Sequence, residues 1–173
     1  MDAKQNTKGL LSKLQSADNK IVIGGIEEFR VSGNIELLPT FIDFVLNTQN
    51  NEIAKKGMQV LYDMKDEGAV HVVFDRLKDI KYLEFQKQLT AVLWEAGMNC
   101  DDRLEDLVAI AIAGNTETLL EVLTVIENID TVYSFEDIGE LKMNIIEEIE
   151  ESSDELKNQL LNSLCMVLDG MVA

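Results

Sequence analysis

One histidine, two cysteines and an acidic run are the side chains in this sequence with the chemistry for catalysis or metal binding. His71 is the single imidazole, so a metal site with several histidine ligands cannot be assembled from this chain alone. A thiolate nucleophile at Cys100 or Cys165 needs a base within hydrogen-bond reach, and only His71 offers an imidazole for it. The neighbours Val70, Val72 and Val73 are apolar, which reads as a structural histidine, at the surface or partly buried. The run Glu147-Glu148-Ile149-Glu150-Glu151-Ser152-Ser153-Asp154-Glu155 has the oxygen ligands a divalent cation takes, yet it lacks the Asp/Asn-Gly loop of an EF-hand. It reads as a solvated helix end. There is no Gly-rich phosphate cradle, no Gly-x-Ser-x-Gly and no dinucleotide fingerprint. The expectation is a chain without catalytic residues, metal or cofactor, and so not an enzyme.

Any side chain that does work here must be positioned by helices, and the helices repeat. Residues 37–64 read as two short amphipathic helices around a polar turn, Thr48-Gln49-Asn50-Asn51. In the second of these, Ile53, Gly57 and Leu61 share one face, because steps of four return to the same side of a helix. A shift of 32 residues maps them back onto Ile21, Gly25 and Phe29, and forward onto Phe85, Leu89 and Leu93. In the first helix, Leu38, Phe41 and Val45 map onto Val70, Val73 and Leu77. A fixed period of this length marks stacked repeats. It also argues helix for Val70-His71-Val72-Val73-Phe74, which alone could pass for a strand. After a slip near Met98-Asn99-Cys100 the pattern resumes with Leu104, Leu107 and Ala111, then Leu119, Leu123 and Ile126. The last pair, about 135–150 and 154–171, is longer and less regular, as expected of a repeat that caps the stack.

LLPTFIDFVL resembles the first helix of a HEAT repeat, and NNEIAKKGMQVL resembles its second. Pro39, Asn51, Ile53, Lys55 and Gly57 fall in the family's order: a proline in the first helix, then a polar opener, an aliphatic, a basic and a small residue in the second. The resemblance is good in this copy, partial over 18–33 and weak elsewhere. The Trp-Leu-Gly-Tyr-Ala-Phe-Pro columns of tetratricopeptide repeats are missing. The resemblance implies an all-α fold, a right-handed α-α superhelix (a HEAT/armadillo-like solenoid) of about five antiparallel helix pairs, in one domain spanning 1–173. It also implies that the second helices line a concave surface. The HEAT-like hydroxylases carry repeated His-Glu pairs, which a single histidine cannot supply. The HEAT-like DNA-repair glycosylases depend on basic clefts, which are absent here.

The repeat places Arg30, Tyr62 and Trp94 in one column, opposite the buried stripe of the second helices, with Lys55, Gln59 and Lys87 nearby. Arg, Tyr and Trp are the residue types enriched at binding hot spots. One reading makes the column a recognition ladder; the other packs Tyr62 and Trp94 into the grooves between repeats. Both stand on the sequence.

Net charge is −17, and residues 91–173 hold 19 acidic and 3 basic residues against 13 and 12 in residues 1–90. Such a surface repels phosphate backbones and anionic membranes, so neither nucleic acid nor membrane is expected as a partner. A basic protein is the electrostatic complement; solubility alone also accounts for the charge. The N-terminal segment has no apolar core of a signal peptide, and two cysteines in different repeats suit free thiols in a reducing cytoplasm. The function expected is a protein-interaction or scaffold module with a concave binding face. The alternative is an enzyme-accessory or lyase-type HEAT-like protein that holds a small ligand in that groove. Self-assembly is a third.

Local signals set the expected boundaries. Thr7, Asp18, Asp101 or Asp102, Asn115 or Thr116, and Ser153 are candidate N-caps. Gly33 and Gly97 suit helix ends, and Gly25 and Gly57 suit close helix packing.

Overall fold

The computed structural model describes residues 3–32 and 34–172. These residues form ten α-helices and two 3-10 helices, with no named strand among them. The fold is all-α. The chain divides into two compact units, residues 1–72 and 73–173.

The first unit holds α1 (Ala3–Leu14), α2 (Asn19–Ser32), the short 3-10 helix Ile35–Leu37, α3 (Leu38–Asn47) and α4 (Asn51–Tyr62). Helix α1 begins before Thr7, which therefore does not open it. Asp18 does the work expected of it: its Oδ1 accepts from the Lys20 amide at 2.8 Å. Gly33 lies outside the described residues. Asn51 opens α4, as the sequence pattern expects, and Asn50 caps it by accepting from the amides of Glu52 and Ile53. Pro39 sits in the first turn of α3, where its missing N–H is no loss. Helix α1 packs on α2, and α4 packs on both α2 and α3. Phe29 of α2 and Phe41 of α3 stack with ring centroids 3.9 Å apart, both fully buried among Ile26, Leu38, Ile42 and Leu61. Each such side chain contributes about 1.5–3 kcal/mol through burial.

Helix α5 (Ala69–Leu77) follows the Asp66 turn, whose carboxylate accepts from the Gly68 amide at 2.8 Å. The division between the units falls inside α5. The valine-rich segment at 70–74 is helical, as the period required.

The second unit continues with the 3-10 helix Ile80–Phe85, then α6 (Gln86–Glu95), α7 (Leu104–Ala113), α8 (Thr116–Glu127), α9 (Phe135–Glu151) and α10 (Glu155–Asp169). The 3-10 segment is a correction: the shared face of Phe85, Leu89 and Leu93 predicts a single helix through all three, whereas Phe85 ends the 3-10 turn. Asp79 caps the tighter turn through the Lys81 amide, and α6 begins only at Gln86. Gly97, at φ +64°, ends it in the left-handed region, as expected. Neither Asp101 nor Asp102 caps α7; Arg103 holds that position with no side-chain bond. Asn115 caps α8, and Asp154 rather than Ser153 caps α10. Ser134 caps α9 by accepting from the Asp137 amide at 3.1 Å.

Helices α6, α8 and α10 pack in that order, and α7 packs against α9; the pairs α7–α8 and α9–α10 close the two sets onto each other. The core between them includes Leu89, Leu93, Leu107, Leu119, Ile126, Leu161 and Leu164. One polar group is out of place there. Thr90 is fully buried, and its Oγ1 has no hydrogen-bond partner among the described residues. Thr90→Val should therefore raise stability by about 1 kcal/mol, since an unpaired buried hydroxyl costs that much or more. Urea denaturation checks it; a lower midpoint would mean that the hydroxyl has a partner.

Candidate functional site

The six residues of the expected recognition face divide four and two between the units. In the first unit, Arg30 ends α2, with its Nε 3.2 Å from Glu27 Oε2 and its guanidinium 3.9 Å from Asp63 Oδ2, just past α4. Lys55 and Gln59 are exposed on α4, and Tyr62 is half-buried at its end. Arg30 and the end of α4 thus meet through Asp63, the residue after Tyr62.

In the second unit, Lys87 and Trp94 lie on α6 and both reach α8. Lys87 Nζ donates to Glu117 Oε1 at 3.0 Å. Trp94 Nε1 donates to Glu121 Oε2 at 2.8 Å, and the residue is 36% exposed. Trp94 is therefore neither a free-standing anchor nor a core residue. It lies on the surface with its one donor satisfied and much of the ring open, the arrangement that lets an indole serve as an apolar contact. Glu117 and Glu121 were not among the expected residues. The slip in the period after α6 hides them, because a fixed 32-residue shift no longer pairs α6 with α8.

Two concavities lie within the second unit. One, of about 310 Å³, is lined by Trp94, Met98, Asn99, Cys100, Asn128 and Asp130. The other, of about 300 Å³, is lined by the acidic residues Asp101, Asp102, Glu105, Asp137 and Glu140, with Asn144. Tyr133 closes one side of the second cleft by donating its hydroxyl to the Asp101 carbonyl at 2.6 Å. Burial, then the charges of Asp101 and Asp102, push the Tyr133 phenol above its ordinary value. A cleft of this charge suits an ammonium or guanidinium group and repels anions.

The candidate nucleophiles are poorly placed for chemistry. Cys100 is buried, and its thiol donates to the Met98 carbonyl at 3.6 Å. Burial first, and the neighbouring Asp101 and Asp102 next, push that thiol up to about 12. At neutral pH it is a neutral thiol, the unreactive form. Cys165 is half-buried and also raised, chiefly by burial. Both cysteines are free. His71 is exposed on α5.

The acidic run ends α9 and starts α10. Glu148 accepts from Lys157 Nζ at 2.8 Å, and the same ammonium donates to the Ile112 carbonyl at 2.6 Å. That pair ties α10 to both α9 and the end of α7. No helix of the described residues is long and apolar enough to cross a membrane.

Comparison of the chain with family models, with curated proteins and with solved structures returned no match.

Proposed function

We propose that this chain is a HEAT-like α-solenoid of about five helix pairs that acts as a non-catalytic, cytoplasmic interaction module for a protein partner. The observation that carries the reading is the packing order in the second unit. Helices α6, α8 and α10 neighbour one another as successive second helices, while α7 neighbours α9 as successive first helices. The same relation joins α2 to α4 in the first unit. Two-layer stacking of that kind is how repeats bury faces they cannot bury alone. It leaves the outer sides of the second helices open for a partner.

The partner face of this proposal comprises Arg30, Lys55, Gln59 and Tyr62 on one unit, and Lys87 and Trp94 on the other. The acidic cleft beside Tyr133 supports a basic partner, whose cations would meet the acidic residues Asp101, Glu105, Asp137 and Glu140; Asp102 already has Arg103 Nε at 3.4 Å.

Tyr62→Ala and Trp94→Ala test the face. Trp94 is partly exposed with a satisfied donor, so Trp94→Ala should change stability by less than about 1 kcal/mol. Loss of an anchor indole should weaken binding about tenfold or more. The assay is capture of partners from native lysate at low and high salt, then titration of the captured protein with each variant. Unchanged affinity in both variants would overturn the face, and a collapse of stability would return Tyr62 and Trp94 to a packing role.

A second reading has its own observation. The concavity beside Trp94 and Met98 is of a size that holds a small organic molecule. Native mass spectrometry of the freshly purified protein would reveal a co-purifying ligand, which would favour the lyase-type or enzyme-accessory alternative.

A further inference from the structure

Helix α9 has two apolar faces and buries only one. Ile138, Leu141 and Ile145 face the core. Phe135, Met143 and Ile146 share another side of the helix at helical spacing, and they are 81%, 63% and 45% exposed. Gly139 lies between them on that side, and a Cβ placed there would meet nothing within 4 Å. Single exposed apolar residues are ordinary. Three on one stripe of one helix, with an open glycine among them, make a groove-like strip about 17 Å long at 1.5 Å per residue.

The charge beside the strip says what fits it. Glu136, Glu140 and Glu147 are exposed along the side of the strip turned away from the core, Glu150 is exposed at its C-terminal end, and among the described residues no ion pair engages them. The one basic residue of α9, Lys142, is already paired with Asp169. The last turn of α9 carries acids and no base, so its glutamates face the negative end of the helix dipole. A cation brought to this flank would relieve repulsion that the folded chain carries by itself.

We propose that this strip on α9 docks a basic amphipathic helix. Its apolar face would cover Phe135, Met143 and Ile146, and its Lys or Arg flank would meet Glu136, Glu140, Glu147 and Glu150. A second copy of this chain is the poorer occupant, because residues 91–173 hold 19 acids against 3 bases and would oppose like charge. An anionic lipid surface is repelled for the same reason. The surface goes beyond the second-helix face proposed above: α9 is a first-position helix, and neither Trp94 nor Tyr62 belongs to the strip.

The probe is a synthetic helical peptide of about four turns, with leucines on one face and lysines beside them, titrated into the full chain by fluorescence anisotropy. Binding should weaken as salt rises. Met143→Glu places a charge in the strip and should weaken binding about tenfold or more. Glu140→Lys with Glu147→Lys should weaken binding and remove most of the salt dependence. Trp94→Ala should leave this affinity unchanged, which separates failure of the strip from failure of the second-helix face. All the substituted residues are exposed, and circular dichroism confirms that each variant folds. Equal affinity in wild type and Met143→Glu would overturn the proposal, as would no binding at all, or equal binding of a peptide with glutamates in place of the lysines. A wild-type dimer by light scattering that Met143→Glu turns into a monomer would also overturn it, by making the occupant a second copy.

Discussion

Gly57→Ala should destabilise the protein by about 2 kcal/mol, although alanine is the better helix former by about 1 kcal/mol. A Cβ at position 57 would fall inside the side chain of Val45 on α3. Val45 is 2% exposed and cannot swing into solvent. Its branched side chain also has one strongly preferred rotamer in a helix. Helices α3 and α4 must therefore separate, an overpacking cost of about 3 kcal/mol that outweighs the helix-propensity gain. Gly24→Ala is the contrast. Gly24 is exposed inside α2, and a Cβ there meets nothing within 4 Å. Only the propensity term remains, so stability should rise by about 1 kcal/mol. Urea midpoints of the two variants should move in opposite directions. Removing the obstruction gives a further check: in Val45→Ala/Gly57→Ala the combined loss should be smaller than the sum of the single losses, because the two residues contend for one volume. A Gly57→Ala protein more stable than wild type would mean that α3 and α4 are not held at this distance.

The same close packing of helix on helix explains why so much of the helical pattern is legible in the sequence. Leu38, Phe41 and Val45, then Ile53, Gly57 and Leu61, are all buried, as are Leu104, Leu107 and Ala111 and then Leu119, Leu123 and Ile126. Period follows burial because each helix has one obligatory inner face. The columns fail where the helix itself changes. Ile21 is 47% exposed because Val22, one position on, takes the inward place in the first turn of α2. Phe85 is half-buried because it belongs to a 3-10 turn, whose residues do not keep the α-helical face. The cap of α10 is Asp154 and not its neighbour Ser153, since adjacent polar residues compete and backbone geometry chooses between them.

The candidate surfaces were less legible. The column left Trp94 open to two readings, a ladder or a groove between repeats, and the partners of Trp94 and Lys87, Glu121 and Glu117, sit beyond the slip in the repeat. The strip on α9 was present in the sequence as Phe135, Met143 and Ile146 at helical spacing. Periodicity shows that a face is apolar without showing which of two apolar faces finds a neighbour. In α9 only packing against α7 and α10 decides it. The acid excess becomes informative by the same route. Spread over a sequence it is a solubility term, whereas set beside an uncovered apolar strip and an acidic cleft it restricts what can bind.

Alkaline pH should weaken the fold through Cys100, and Cys100→Ala should remove much of that weakening. The folded thiol ionises at about 12 against an ordinary value of 9.0, because burial first, then Asp101 and Asp102, disfavour the thiolate; Arg103 opposes them. A group raised by folding holds its proton longer in the native state than in the unfolded one. Its contribution to stability is therefore complete below pH 9 and declines as pH rises towards 12. Each pH step in that window lowers the folding equilibrium about tenfold, so the full loss is on the order of a thousandfold. Tyr133, raised in the same direction, adds a smaller decline above its ordinary value of 10.0. The measurement is the urea midpoint of wild type and Cys100→Ala at intervals from about pH 8 to pH 11, with the slopes compared because the variant also loses packing. Parallel slopes would mean that Cys100 is open to solvent. Thiol labelling near neutral pH gives an independent view of the same state. Fewer than about one in ten thousand Cys100 side chains should be thiolate there, so Cys165 should react first and Cys100 only when the fold opens.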